Sequence, residues 1–361
     1  MFQATPLLPG DPYESAARFS AGTAGRRTPA PAPAAPGAVR RQVWQRIVAL
    51  GWPALLIPES LGGIGGKPLD LAAIAEGLGR TAFDLPVISS CGLAPLILTS
   101  CPPQPQRNAL LAAVVEGTVR VTPALATRSV RASRSGAGWN LDGAITGVET
   151  TPDTTHFVVV CDVADEQVPG VFVVPADARG LASVARQRMD GRASADLDIA
   201  GLRLDDAAAL AVGGGIGDGL ARAMDVVSVL CGAEQIGAMG ALLEQTIGFL
   251  QQRSQFGVVL ASLQVLRHDV AELYVAYENA RALLQGVLIR WADGESWPAR
   301  EIAFARLRTP HVSRALALGA IQLHGGIGLT EELPAARLAR RLIAAAFDYG
   351  GDPAAGRSPA A

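Results

Sequence analysis

Three glycines fall within four positions in QLHGGIGLT, residues 322–330. Without a Cβ, a backbone can bring its N–H groups close to a phosphate. The same spacing also makes a tight turn between two helices. A dinucleotide fingerprint requires GxGxxG directly after a strand; GGIG lacks that spacing and no strand pattern precedes it. QQRSQFG, residues 251–257, supplies an arginine whose planar fork of donors suits phosphate oxygens. An arginine at a helix C-terminus is equally favoured by the helix dipole with no ligand present, and Gly257 reads as an ordinary C′ residue. Leu263-Gln264 opens the next helix, where a glutamine alone is unremarkable.

Other chemistry finds little support. LGGIGGKP, residues 61–68, ends in Gly-Lys, but Leu61 stands at the first glycine of a P-loop and Pro68 where Ser or Thr would hold magnesium. It reads as a loop with left-handed positions. His156, His268, His311 and His324 form no HxxxH or HExxH pattern. Cys91, Cys101, Cys161 and Cys231 have no paired spacing, which argues against a zinc site or disulfide framework and fits a reducing cytoplasm. A net charge of −2 gives no case for nucleic acid or an anionic membrane, and Lys67 is the one lysine among 31 basic residues. No export signal is visible at the N-terminus, and no apolar run reads as long enough to span a bilayer.

The elements that must position these residues follow from periodicity. Of 361 residues 49% are hydrophobic and only 5% aromatic, a composition of small helix formers that predicts a mainly α protein. Residues 1–37 read as a flexible N-terminal segment, with AGTAGRRTPAPAPAAPG at 21–37 rich in Ala, Pro and Gly. Residues 38–118 predict a helical domain containing RRQVWQRIVALGW and LDLAAIAEGLGRTA, with Leu71, Ile74 and Leu78 on one face. Across 119–211, VRVTPALAT, GWNLDGAITGV, HFVVVCDV and PGVFVVPA are Val-rich runs between turn clusters, a central β domain. After VGGGIGDG, residues 212–361 predict a four-helix bundle, its clearest seam running through Leu263, Leu266, Val270, Leu273, Tyr277, Ala280, Leu284 and Val287.

Taken together, helices, a β domain, then R-x-Q-F-G, x-Q and Q-L-H-G-G-x-G in a helical bundle resemble the acyl-CoA dehydrogenase family over about residues 38–348. PESLGG after an amphipathic helix and GWNLDGAIT match that layout. The resemblance implies α,β-dehydrogenation of an acyl-CoA thioester, FAD as cofactor, and an electron-transfer flavoprotein as acceptor. It implies two subunits packed head to head, each FAD lying across their interface with its ADP half held by the neighbour. Arg253 would then pair with the pyrophosphate, with Gln255 and Phe256 beside it and Gln264 on the adenine half. Gln322, Gly325 and Gly326 would present donors to the same ADP part.

The family's other motifs are missing. A T-E-P-x-A-G-S-D segment that grips the flavin corresponds here to VTPALATRSVRAS, and a W-I-T-type strand to Gly147, Val148 and Glu149. The catalytic carboxylate of a Y-E-G sequence falls on Tyr349, and its alternative place on the first bundle helix falls on Val227. An unperturbed tyrosine titrates near about 10 and does not take a carbon-bound proton at neutral pH. Asp348 adjoins the first place and is a weak candidate base; Asp225 lies near the second but is turned away by about 100° per residue of helix. Ser228 stands near where an arginine often meets substrate. The resemblance therefore favours a subunit that completes the ADP side of a homologous partner's FAD. The alternatives are a homo-oligomeric enzyme using Asp348, or a flavin-free scaffold.

Overall fold

The computed structural model describes residues 2–24, 36–126, 129–150, 153–164, 168–293, 297–330 and 333–350. Its α-helices are α1 (Asp11–Ala24), α2 (Pro36–Ala49), α3 (Pro68–Gly79), α4 (Ala94–Ser100), α5 (Pro105–Glu116), α6 (Gly217–Gln252), α7 (Gln264–Asp293), α8 (Ala299–His324) and α9 (Pro334–Ala345). The strands are β1 (Val121–Leu125), β2 (Val130–Ser135), β3 (Gly138–Glu149), β4 (His156–Val163), β5 (Val168–Pro175), β6 (Leu181–Gln187), β7 (Ala193–Asp205), β8 (Ala209–Val212), β9 (Ser254–Gln255) and β10 (Val258–Val259). A helical N-terminal region, a central β domain and a C-terminal helical domain follow one another, the fold class expected from the sequence. By compactness the chain groups into two units, one of residues 1–31, 68–83 and 228–361, the other of 32–67 and 84–227.

The second unit is built on the sheet β6-β7-β3-β2-β4-β5-β8, with β1 running parallel to β4 off that path. Alternation decides its core: Trp139, Leu141 and Ile145 of β3 point inward, and Trp139 meets Phe172 edge-on at 5.2 Å. β3 slips against β7 between Ile145 and Val148, so Thr146 and Gly147 are both exposed before Val148 turns back into the core. Such a bulge re-aims whatever follows it. Here that is Glu149.

In the first unit α1 packs on α3, α7 on α8, and α8 on α9. α3 also meets α6 so closely that only glycine fits. A Cβ on Gly79 would lie 2.1 Å from the Glu234 carbonyl oxygen, and one on Gly237 would lie 2.0 Å from that of Glu76. Leu71, Ile74 and Leu78 are buried as their spacing predicts, but so is every residue from Leu71 to Gly79, Glu76 included. Burial pushes the Glu76 carboxyl above its usual range, opposed by the N–H groups of Leu7 and Leu8, which donate to it at 2.6 and 3.1 Å.

Three expectations need correction. Asp11–Ala24 of the segment expected to be flexible is helix α1, because its Ala16 and Phe19 have a partner face on α3. Of the rest of that expectation, residues 2–10 carry no regular secondary structure, residues 36 and 37 already belong to α2, and residues 1 and 25–35 lie outside the described residues. One helix, spanning Gly214–Gln252, is long and apolar enough to cross a bilayer by length and composition; 94% of that window is buried within the protein, which makes it a core helix. The α7 seam is fully buried only in its later half, at Tyr277, Ala280, Leu284 and Val287. Gly237→Ala is expected to cost about 3 kcal/mol, because the obstacle is backbone that cannot step aside. Gly286→Ala, on open α7 surface with nothing within 4 Å, should stabilise by up to about 1 kcal/mol. Calorimetric melting of the two variants checks the contrast; a Gly237→Ala protein as stable as wild type contradicts the helix crossing.

Candidate functional site

Arg253 follows α6 directly, its N–H donating to the Phe249 carbonyl at 2.9 Å. Its side chain is exposed and its guanidinium has no partner among the described residues. Beyond it, β9 and β10 form a two-residue hairpin whose turn residues both take positive φ, Phe256 at 56° and Gly257 at 79°. That is the dihedral demand of a type I′ turn. Gly257 therefore serves the hairpin, where the sequence alone allowed a helix C′ role. Phe256 is 87% exposed, and Gln255 is exposed beside it. Gln264 is the first residue of α7, also exposed.

Gln322 lies on the exposed side of the last turn of α8. Gly325, at φ 65°, ends that helix by donating its N–H to the Gln322 carbonyl. The Gly325 N–H is therefore engaged in the turn itself. Gly326 is exposed, and a Cβ there would meet nothing within 4 Å in this chain. The two stretches meet through aromatic contact, the His324 ring lying 4.7 Å from that of Phe249. An exposed unpartnered arginine, three exposed amides and an open glycine form a donor set that fits the phosphates and polar edges of an ADP group.

The place where a base is expected is organised differently. Arg341 of α9 is 3% exposed and grips Glu234 of α6 with both arms, Nε to Oε1 at 3.1 Å and Nη2 to Oε2 at 2.6 Å. The same Nη2 lies 2.9 Å from Oδ2 of Asp348, whose side chain is 6% exposed. Asp348, the candidate base, is thus anchored on a buried arginine, with its carboxylate held at 2.9 Å from Nη2. Tyr349 follows at φ 51°, and Val227 is fully buried. Nearby, a cavity in the bundle lined by Ser228, Cys231, Gln235, Arg306, Thr309 and Tyr349 measures about 20 Å³, room for one water.

In the β domain the bulge of β3 aims Glu149 at Arg192, Oε1 to Nη1 3.1 Å, while the Ser89 hydroxyl donates to its Oε2 at 3.1 Å. The pair is 10% and 7% exposed. Gly147 is tied through its N–H to Asp196 at 2.9 Å. Where the resemblance puts an aromatic wall and a hydroxyl for a flavin ring, the chain has a bare glycine and a buried carboxylate. These residues do not fit a flavin. Of VTPALATRSVRAS, residues 127 and 128 lie outside the described residues. Sequence reasoning missed Arg192 and Arg341, which carry no local signal because each pairs with a distant element, and it missed the contact of His324, within QLHGGIG, with Phe249 on α6. Among the described residues no group of three His, Cys, Asp or Glu could hold a metal ion.

Comparison with known proteins gives two family models. "Acyl-CoA dehydrogenase, C-terminal domain" matches residues 217–351, and "Acyl-CoA dehydrogenase, N-terminal domain" matches residues 19–118. The chain is 30% identical over 286 residues to acyl-CoA dehydrogenase IpdE2 of Mycobacterium tuberculosis, covering 78% of this chain and 74% of that protein. Among solved structures it is similar to the Tcur3481–Tcur3483 steroid ACAD G363A variant, at TM-score 0.79 and 23% identity, over 95% of this chain and 94% of that one. It is similar likewise to the ChsE4–ChsE5 complex from Mycobacterium tuberculosis, at TM-score 0.79 and 22% identity, over 96% and 95%.

Arg341→Met is expected to cost about 3–5 kcal/mol, since it leaves two carboxylates facing each other in the interior. Asp348→Asn removes one arm of the cluster and should cost less than half as much. Urea unfolding midpoints measure both; an Asp348→Asn loss equal to that of Arg341→Met would show that the anchor has been misassigned.

Proposed function

The chain belongs to the acyl-CoA dehydrogenase family, and from that premise we propose that it is the subunit of a heteromeric flavin enzyme that holds the ADP tail of its partner's FAD. The observation that carries this reading is the contrast between its two half-sites. Arg253, Gln255, Phe256, Gln264, Gln322 and Gly326 stand exposed, with the arginine free of any partner among the described residues. Where the resemblance would put the flavin, its own β domain carries the buried Glu149–Arg192 pair instead. The similarity in fold to a complex of two named chains, ChsE4 and ChsE5, supports a partner that is homologous rather than identical.

In this reading Arg253 places a bidentate cation against the pyrophosphate, the strongest single contact the site offers. Gly325 turns the chain so that Gly326 brings bare backbone to the same phosphates. The FAD, when bound, supplies the hydride acceptor for α,β-dehydrogenation of an acyl-CoA thioester. The carboxylate that removes the α-proton belongs to the partner, because this chain offers Tyr349 and an anchored Asp348 at that place. Its own contribution is to bind and orient the cofactor tail. A bulky acyl-CoA, a steroid side-chain thioester first, is the substrate to try, and an electron-transfer flavoprotein the acceptor.

Coexpression with a homologue that carries Y-E-G and T-E-P-x-A-G-S-D tests the proposal. The purified complex should hold FAD and the isolated chain should be colourless. Arg253→Ala in the complex should weaken FAD by about 10- to 100-fold, the worth of a hydrogen-bonded charge. Stoichiometric FAD on the isolated chain, or unchanged FAD in the Arg253→Ala complex, overturns it.

A further inference from the structure

His324 ends α8 in the middle of the glycine turn and is 5% exposed. Its Nδ1 lies 2.8 Å from the Ala320 carbonyl. A carbonyl only accepts, so the ring proton is on Nδ1 and Nε2 carries a lone pair. That Nε2 is buried with no hydrogen-bond partner among the described residues. The imidazole lies against Phe249 at 4.7 Å between centroids, tilted by 32°. Phe249 is one turn before Arg253, and its carbonyl receives the Arg253 N–H. On the other side, Gly328 is so close that a Cβ there would lie 2.9 Å from His324 Cβ. The ring is thus the physical link between the Arg253 end of α6 and the Gly325–Gly326 turn of α8.

We infer that His324 is a positioning residue for the ADP tail, a neutral imidazole that keeps the α8 turn in register with Arg253 and loosens it on taking a proton. This rests on the proposed role of Arg253 and the turn. A second proton would have to enter at Nε2, which is buried and has no acceptor among the described residues to receive the new N–H. Burial holds the His324 pKa below the ordinary 6.5 and the Ala320 carbonyl opposes this; among the described residues no acidic or basic side chain of α6, α8 or the turn adds to either influence. A histidine whose folded pKa is depressed gives stability that is present above 6.5 and lost as pH falls through the folded value. The helix dipole favours a cation at this end, but it already acts on the N–H at Nδ1. The cradle is therefore firm at neutral pH and loosens in acid.

The test uses ADP as probe, titrated calorimetrically into the full chain at about pH 8 and about pH 5.5, on either side of an ordinary histidine. The variants are His324→Phe, which keeps the stacked ring without a titrating nitrogen, and His324→Leu as a second non-titrating side chain. Wild type should lose more ADP affinity across this range than either variant does, by less than about tenfold because the His324 pKa lies below 6.5. The variants' profiles carry whatever the ADP phosphates themselves contribute. Phe249→Leu, which removes the ring but not the titration, should weaken ADP at both pH values. Parallel profiles for wild type, His324→Phe and His324→Leu overturn the inference. Arg253→Ala separates the two layers: if it binds ADP like wild type, or if wild type binds none, the reading of the site itself fails. If Arg253→Ala loses ADP while the profiles stay parallel, only the role of His324 fails.

Discussion

The backbones of α3 and α6 touch, and the first unit is arranged around that contact. Gly79 faces the Glu234 carbonyl and Gly237 faces that of Glu76, so the two helices cross with no side chains between them. Gly77 repeats the device toward α1, where a Cβ would lie 2.7 Å from the Tyr13 carbonyl. A crossing this tight maximises dispersion contact but leaves no room for the Glu76 side chain to reach water. Its carboxyl must be satisfied inside, and the N–H groups of Leu7 and Leu8 do so from 69 and 68 residues away in sequence. Glu244, a few turns on, accepts from Ala4 and pairs with Arg80 at 2.7 Å. Residues far apart in the chain are thereby stitched onto the α3–α6 pair, the N-terminal ones to both helices.

Of the two, α6 then serves as a ruler. Glu234 fixes Arg341, and through it the turn carrying Asp348 and Tyr349. Gly237 fixes α3. Phe249 meets His324, and Arg253 closes the helix. A rise of about 1.5 Å per residue makes the spacing between these points rigid. Placing the RSQFG and QLHGG stretches, the proposed cofactor-tail site, at one end of α6 means that their geometry depends on packing along its whole length. The buried Arg341 cluster acts at a distance for that reason, although it touches neither stretch.

Much of this was legible in sequence, and the reason is periodicity. The Leu71, Ile74, Leu78 face and the later half of the α7 seam are buried where a 3.6-residue repeat puts them. RSQFG and QLHGGIG mark the ends of long helices because glycine and arginine have local reasons to be there. What escaped detection is pairwise. α1 reads as a flexible segment because the face it packs against lies on α3. Arg341 sits in PAARLARRLIAA among other arginines and is buried only because Glu234, 107 residues earlier, receives it. Glu149 points at Arg192 because of a one-residue bulge in β3, and a shift of that kind leaves no mark on composition.

The two half-sites differ in how easily each could be undone. Glu149 and Arg192 are buried together with Asp190 and Ser89 around them, so removing either partner unbalances a buried charge cluster and this edge of the β domain resists single substitutions. The exposed half has the opposite character. Phe256 holds a left-handed backbone conformation that costs a non-glycine residue about 1–3 kcal/mol, and its ring is 87% in solvent. Neither the strain nor the exposure is offset by any contact described within this chain. An aromatic ring held out on a strained hairpin beside an unpartnered arginine is stable enough to persist because α6 and α7 clamp the hairpin at both ends. An apolar ring beside a cation suits a group that is flat and apolar at one end and anionic at the other, which is the chemistry of the adenine and phosphates in the role proposed for this hairpin.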